Sequence, residues 1–137
     1  MLPQSDLSAS STSVKMHPYM LWVPDHIDEG ALARRLAVRQ QHIVGVNKTA
    51  KQGVLKAAGA LLAPGSEGAE PQDRKFAGSM LIYEAESLED ARRLAEADVY
   101  WKGNVWDKEK MVILPLLMAT IFPERAGIVY PTPDDEN

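Results

Sequence analysis

Residues 74–97, RKFAGSMLIYEAESLEDARRLAEA, change their period halfway along, and that change decides the fold. From Arg74 to Ala85 the side chains alternate. Phe76, Gly78, Met80 and Ile82 take one side, and Ala77, Ser79, Leu81 and Tyr83 the other. That is the two-residue period of a strand. At Ser87 the spacing turns helical. Ser87 can cap a helix with Asp90 three residues on, and Ala91, Leu94 and Ala95 carry an apolar stripe to about Ala97.

Toward the N-terminus, the Gly-, Pro- and Glu-rich stretch from Pro64 to Asp73 reads as a loop. Before it, Val54–Leu62 is a strand weakened by Gly59. A long helix precedes that strand, from about Glu29 to Gln52. Asp28 is expected as its cap, Glu29 stands in the first turn, Lys48 and Lys51 in the last, and Gly53 just beyond. The apolar run Met16–Val23, stopped by Pro24-Asp25, is the first strand. Toward the C-terminus a turn-rich stretch, Asp98–Lys108, leads to a final strand over about Met111–Phe122. Pro115 limits that strand to a sheet edge or a bulge.

The order β-α-β-β-α-β is the α+β, ferredoxin-like arrangement. Two helices cover one face of a four-stranded antiparallel sheet. The other face carries Leu, Met, Ile and Trp and needs cover of its own. A second copy, giving a homodimer with two sheets face to face, is the expected cover; loops and the C-terminal tail in a monomer are the alternative.

Composition narrows the function classes. The chain has 137 residues and suggests one domain over 16–122, flanked by a Ser-rich flexible arm (1–15) and an acidic tail (123–137). Ile128, Val129 and Tyr130 could pack part of that tail. Cysteine is absent, which removes disulfides, thiolate metal sites and a Cys nucleophile. The three histidines, His17, His26 and His42, include no pair at metal-ligand spacing, so no metal site is expected. A net charge of −4 argues against nucleic acid as a partner. No apolar run reaches membrane-spanning length, and the N-terminal stretch lacks the features of a secretory or mitochondrial leader. A cytoplasmic location is the expectation.

Chemistry must then come from ordinary polar side chains. On the long helix, Arg35, Arg39, His42 and Val46 stand at i, i+4, i+7 and i+11, within a sector of about 60°. A near-neutral imidazole among guanidinium groups can accept a proton while the arginines hold an anion. Spacing alone favours an ordinary solvated polar face. His17 and His26 read as exposed histidines without a role. Asp98 follows the second helix, where a carboxylate faces the unfavourable end of the helix dipole. A cation or imidazole partner would explain it, and so would an ordinary turn. Tyr100, Trp101 and Trp106 lie just beyond and can line a pocket or fill a core.

Four ordered stretches resemble the YCII-related (YciI-like) family. Arg35-Leu36-Ala37-Val38-Arg39-Gln40-Gln41-His42 is similar to its Arg-Leu-Ala-x-Arg-x-x-His helix. Ala58-Gly59-Ala60-Leu61-Leu62 is similar to its Ala-Gly-Pro-Leu strand, Gly78-Ser79-Met80-Leu81-Ile82 to its Gly-Ser strand, and residues 84–98 to its second helix with a terminal Asp. The sequence departs from the family where Val99 replaces a frequent Pro, where Ala60 replaces Pro, and in a longer loop over 64–73. The resemblance implies a dimeric α+β barrel and a catalytic pair, here His42 and Asp98. It adds weight to a cofactor-independent lyase or isomerase acting by acid–base chemistry on a small acidic, lactone or phenolic metabolite. Arg35, Arg39, Ser79, Tyr100, Trp101 and Trp106 are the expected substrate-binding residues. The alternative is a non-catalytic module that binds a small metabolite or serves a larger pathway.

Overall fold

The structure is a computed structural model in which residues 14–120 are described. Strand β1 spans His17–Pro24, helix α1 Ala31–Lys51, β2 Leu55–Leu62 and β3 Phe76–Ala85. Helix α2 spans Leu88–Glu96, a short α3 Val99–Lys102, and β4 Val112–Pro115. Single 3₁₀ turns lie at Pro71–Asp73 and Lys108–Lys110. The strands pair antiparallel in the order β2-β3-β1-β4, and this α+β arrangement is ferredoxin-like. The expected arms lie largely, and Ile128, Val129 and Tyr130 wholly, outside the described residues.

Most elements begin and end where local chemistry places them. Ser87 caps α2 by accepting the Asp90 backbone N–H at 3.1 Å, a contact usually worth about 1 kcal/mol. Gly53 follows α1 at φ 78°, a backbone state that costs a glycine little. Pro115 closes the edge strand β4, where a missing donor does least harm.

Three expectations need correction. Helix α1 starts two residues late, with Gly30 as its N-cap and no side-chain cap. The Asp28 carboxylate is occupied by Arg34, at 2.8 and 2.7 Å, and by the Gly30 N–H, so Asp28 and Glu29 form a turn ahead of the helix. The turn-rich stretch contains a real helical turn, α3, because Asp98 caps it through the Tyr100 N–H. The last strand stops at Pro115 rather than continuing toward Phe122; Leu117 is almost fully exposed.

The two faces of the sheet differ. Leu21, Val23, Leu55, Leu81 and Tyr83 point toward the helices and pack with Ala95, Tyr100, Val105 and Trp106 in one buried core. On the opposite face the register builds two apolar rows. Leu114, Met20, Ile82 and Ala57 form one, and Val112, Trp22, Met80 and Gly59 the other. Trp22, Val112 and Leu114 are exposed there.

Gly78 pairs with Pro24 at the end of the β1–β3 ladder. A Cβ at this position would lie 2.8 Å from Pro24 Cα and closer still to the Val23 carbonyl oxygen. Both neighbours are backbone and cannot step aside cheaply. Gly78→Ala is therefore expected to destabilise the fold by about 1–3 kcal/mol, the usual range for forced backbone shifts. A urea denaturation midpoint equal to that of the parent protein would contradict this.

Candidate active site

Helix α1 turns Arg35, Arg39, His42 and Val46 toward one cavity of about 780 Å³. β2 supplies Ala58 and Ala60 to its wall, side chains too small to fill the space against the helix, with the backbone of Gly59 between them. Phe76, Ser79 and Leu81 come from β3, and Gly68, Ala69, Glu70, Pro71 and Arg74 from the β2–β3 connection. The cavity thus arises from a sequence contrast: small residues on the strand oppose long polar ones on the helix.

His42 and Asp98, 56 residues apart, meet here. His42 Nδ1 lies 2.9 Å from Asp98 Oδ1, with the side chains 13% and 12% exposed. Neither points into bulk solvent. An ionised carboxylate only accepts, so Nδ1 donates and Nε2 is left as the imidazole acceptor. The same Asp98 oxygen accepts the Tyr100 backbone N–H at 2.8 Å. Asp98 is therefore doubly fixed, as the cap of α3 and as the partner of the imidazole. It stands at the favourable N-terminal end of α3, which corrects the reading of a carboxylate misplaced after α2. Val99 occupies the first position of that turn, and its backbone conformation supports the turn without Pro.

The ring of His42 stacks on Tyr100, with centroids 3.8 Å apart and planes inclined by 11°. Trp106 meets both rings edge-on, is fully buried, and donates its indole N–H to Ser79 Oγ at 3.0 Å. Because Ser79 Oγ accepts that bond, its own hydroxyl proton can turn elsewhere. Burial pushes the Tyr100 phenol up, so the ring beneath the imidazole stays uncharged.

The expected site residues divide by placement. His42, Arg35, Arg39, Ser79 and Tyr100 line the cavity, while Asp98 stands behind His42 and lines a smaller pocket of about 140 Å³ that His42 also reaches. Trp106 and Trp101 do not line the main cavity. Trp106 supports it from within the core, and Trp101, half-buried against that core, lies under Lys108 and Arg92. Arg35 is only 3% exposed and bonded to Asp25 at 2.6 Å, so its charge is already matched. Its guanidinium lies 4.5 Å from the Phe76 ring centroid and 4.7 Å from that of Tyr100. Asp25 and Arg74 were not anticipated; both lie in connections outside the helix whose period aligned Arg35, Arg39 and His42, so no spacing points to them. His26 bonds Asn104 at an exposed position. Among the described residues, no group of acidic and His side chains could hold a metal ion, and no helix is long and apolar enough to cross a membrane.

The strand order defines the fold class, a ferredoxin-like α+β domain, and on its helix side His42, backed by Asp98, lines a cavity. The model of the YCII-related domain matches residues 18–113, and the chain belongs to this family. Protein YciI of Escherichia coli is 34% identical over 89 residues, covering 65% of this chain and 87% of that one. Protein YciI of Shigella flexneri matches to the same extent. Among solved structures, the 5-chloro-2-hydroxyhydroquinone dehydrochlorinase of Burkholderia phenoliruptrix, bound to 2,5-dihydroxybenzoquinone, has a similar fold. The TM-score is 0.60 at 20% identity, covering 74% of this chain and 95% of that one.

Proposed function

We propose that this protein is an enzyme of small cyclic metabolites in which the His42–Asp98 pair performs acid–base chemistry. The observation that carries this is the Nδ1–Oδ1 contact that backs His42, whose ring lines a cavity large enough for a ring-sized ligand. Asp98 holds His42 in one tautomer and balances the imidazolium formed when Nε2 takes a proton. In an elimination, that proton leaves a carbon next to a carbonyl. The C–H electron pair becomes a C=C bond, and the leaving group departs with its own pair. Arg39, one turn ahead of His42, supplies positive charge for a carboxylate or developing enolate. Ser79 offers a hydroxyl proton to a substrate oxygen. The structural neighbour is named for dehydrochlorination, a reaction of this form.

The test is a panel of halogenated hydroquinones, phenolic acids and small lactones incubated in deuterated water. Product, or deuterium at an acidic C–H position, that disappears in His42→Gln supports the reading. Saturable binding without exchange or product in any member favours a binding module instead.

The same reading covers the open sheet face with a second copy. Its two apolar rows are uninterrupted across the strands, a surface that lone soluble chains rarely leave in water. Sedimentation is expected to give twice the 15.1 kDa chain mass. Trp22→Glu, which buries a charge at the centre of the rows, is expected to give monomer. A parent protein sedimenting as monomer at about 10 μM would rule the dimer out.

A further inference from the structure

The cavity carries more positive charge than a proton transfer at His42 needs. Three arginines line it, and Glu70 is the acidic residue lining it with them. Arg35 is matched by Asp25. Arg39 and Arg74 have no ion-pair partner among the described residues.

Arg74 reaches the cavity on a connection that is built rather than slack. Buried Ser66 accepts the Lys75 N–H at 2.8 Å through Oγ, and Ala63 N–H donates to the Lys75 carbonyl at 2.8 Å. Glu67 is occupied by the Gly65 N–H, and Gly65 and Gly68 take the positive-φ positions the turns require. The 3₁₀ turn Pro71–Asp73 then delivers Arg74 directly ahead of β3.

The topology orders these groups along the cavity. In a β-α-β unit α1 returns antiparallel to β1, and β3 is also antiparallel to β1, so α1 and β3 run the same way. Arg35 over the Phe76 ring fixes their register. Arg74 precedes Phe76 and so lies on the side of Arg35 away from His42. His42 lies seven positions after Arg35, a rise of about 10 Å. The long Arg74 side chain, reaching inward from beyond Arg35, shares that length with a ring bearing a carboxylate.

We propose that Arg74 is a specificity-determining residue. It holds the carboxylate of a cyclic acid at the end of the cavity away from His42, Arg39 adds positive charge between that end and His42, and the ring carbon that reacts lies beside His42. The orientation rests on the acid–base reading above; the choice of an acid over a neutral ring rests on the unpaired arginines alone.

Binding can be measured without turnover, using 2,5-dihydroxybenzoate and hydroquinone as probes in calorimetric titrations at low salt. The acid is expected to bind the parent protein at least about 10-fold more tightly, as a charge-assisted contact provides. Arg74→Gln and Arg39→Gln should each reduce that preference several-fold, Arg74→Lys should restore part of it, and His42→Gln should keep it. Acid binding no tighter than phenol binding, including no binding of either, overturns the proposal. So does a preference that survives Arg74→Gln intact. If the preference follows Arg74 while His42→Gln leaves deuterium exchange unchanged, the acid–base reading fails and the charge assignment stands.

Discussion

His42→Gln is expected to lower turnover about 10²- to 10⁴-fold, the usual contribution of a positioned general base. Asp98→Asn is expected to fall within the same range for a different reason. An Asn at this position still presents an oxygen to the Tyr100 N–H, so α3 keeps its cap and the thermal midpoint should change little. What is lost is the negative charge 2.9 Å from Nδ1 that balances an imidazolium. The two variants should therefore share a low rate but keep the parent's affinity for a non-reacting analogue. Asp98→Ala separates position from charge, because it also removes the cap and should cost about 1 kcal/mol of stability. Parent-like rates in both His42→Gln and Asp98→Asn would remove the base from the mechanism.

The second large effect concerns stability. Breaking the Asp25–Arg35 pair from one side, by Arg35→Met or Asp25→Ala, is expected to cost about 3–5 kcal/mol, because a buried charge is left alone. The pair is not fully satisfied even when intact: Asp25 Oδ1 and Arg35 Nε lack hydrogen-bond partners. Burial pushes the Asp25 carboxyl up, and Arg35 draws it back only in part. A raised carboxyl binds its proton more tightly in the folded state than in the unfolded one. Stability from this group therefore declines as pH rises from the ordinary carboxylate value through the folded one. Arg35→Met removes the opposing cation, so its cost should be larger at neutral pH than near about pH 4. The double variant Asp25→Leu/Arg35→Met should recover most of the loss, since apolar substitutes of similar size often match a buried pair. Urea denaturation of the three variants at both pH values measures this. Single variants costing under about 1 kcal/mol would show that water reaches the pair.

Much of the fold could be read from local pattern. The alternation through 79–85, the Ser87 cap and Gly53 each act within a few residues, so sequence neighbours are enough to define them. Phe76 departs from the expected side: a register shift between Leu61 and Leu62 brings it onto the helix side with Ser79 and Leu81. The Asp28 cap failed because a competing partner, Arg34, lies one and a half turns away and takes the carboxylate. Asp98 shows the same limit in reverse. Counted from α2 it looks misplaced, while its benefit comes from the turn after it and from a helix 56 positions earlier.

The sequence by itself determined the order of the strands and the two main helices along the chain, and the alignment of Arg35, Arg39, His42 and Val46 on one side of a helix; it left Pro115 at an edge or a bulge, and the sheet order made it an edge. Period and capping are short-range, and the letters carry them. Only the tertiary structure decided that Asp98 reaches His42, that Asp25 consumes the charge of Arg35, and that Arg74 joins the cavity while Trp101 leaves it. Each of these depends on how α1 lies across the sheet. That packing depends on which side chains are large and which small across the whole core, a long-range property that no window of neighbouring residues contains.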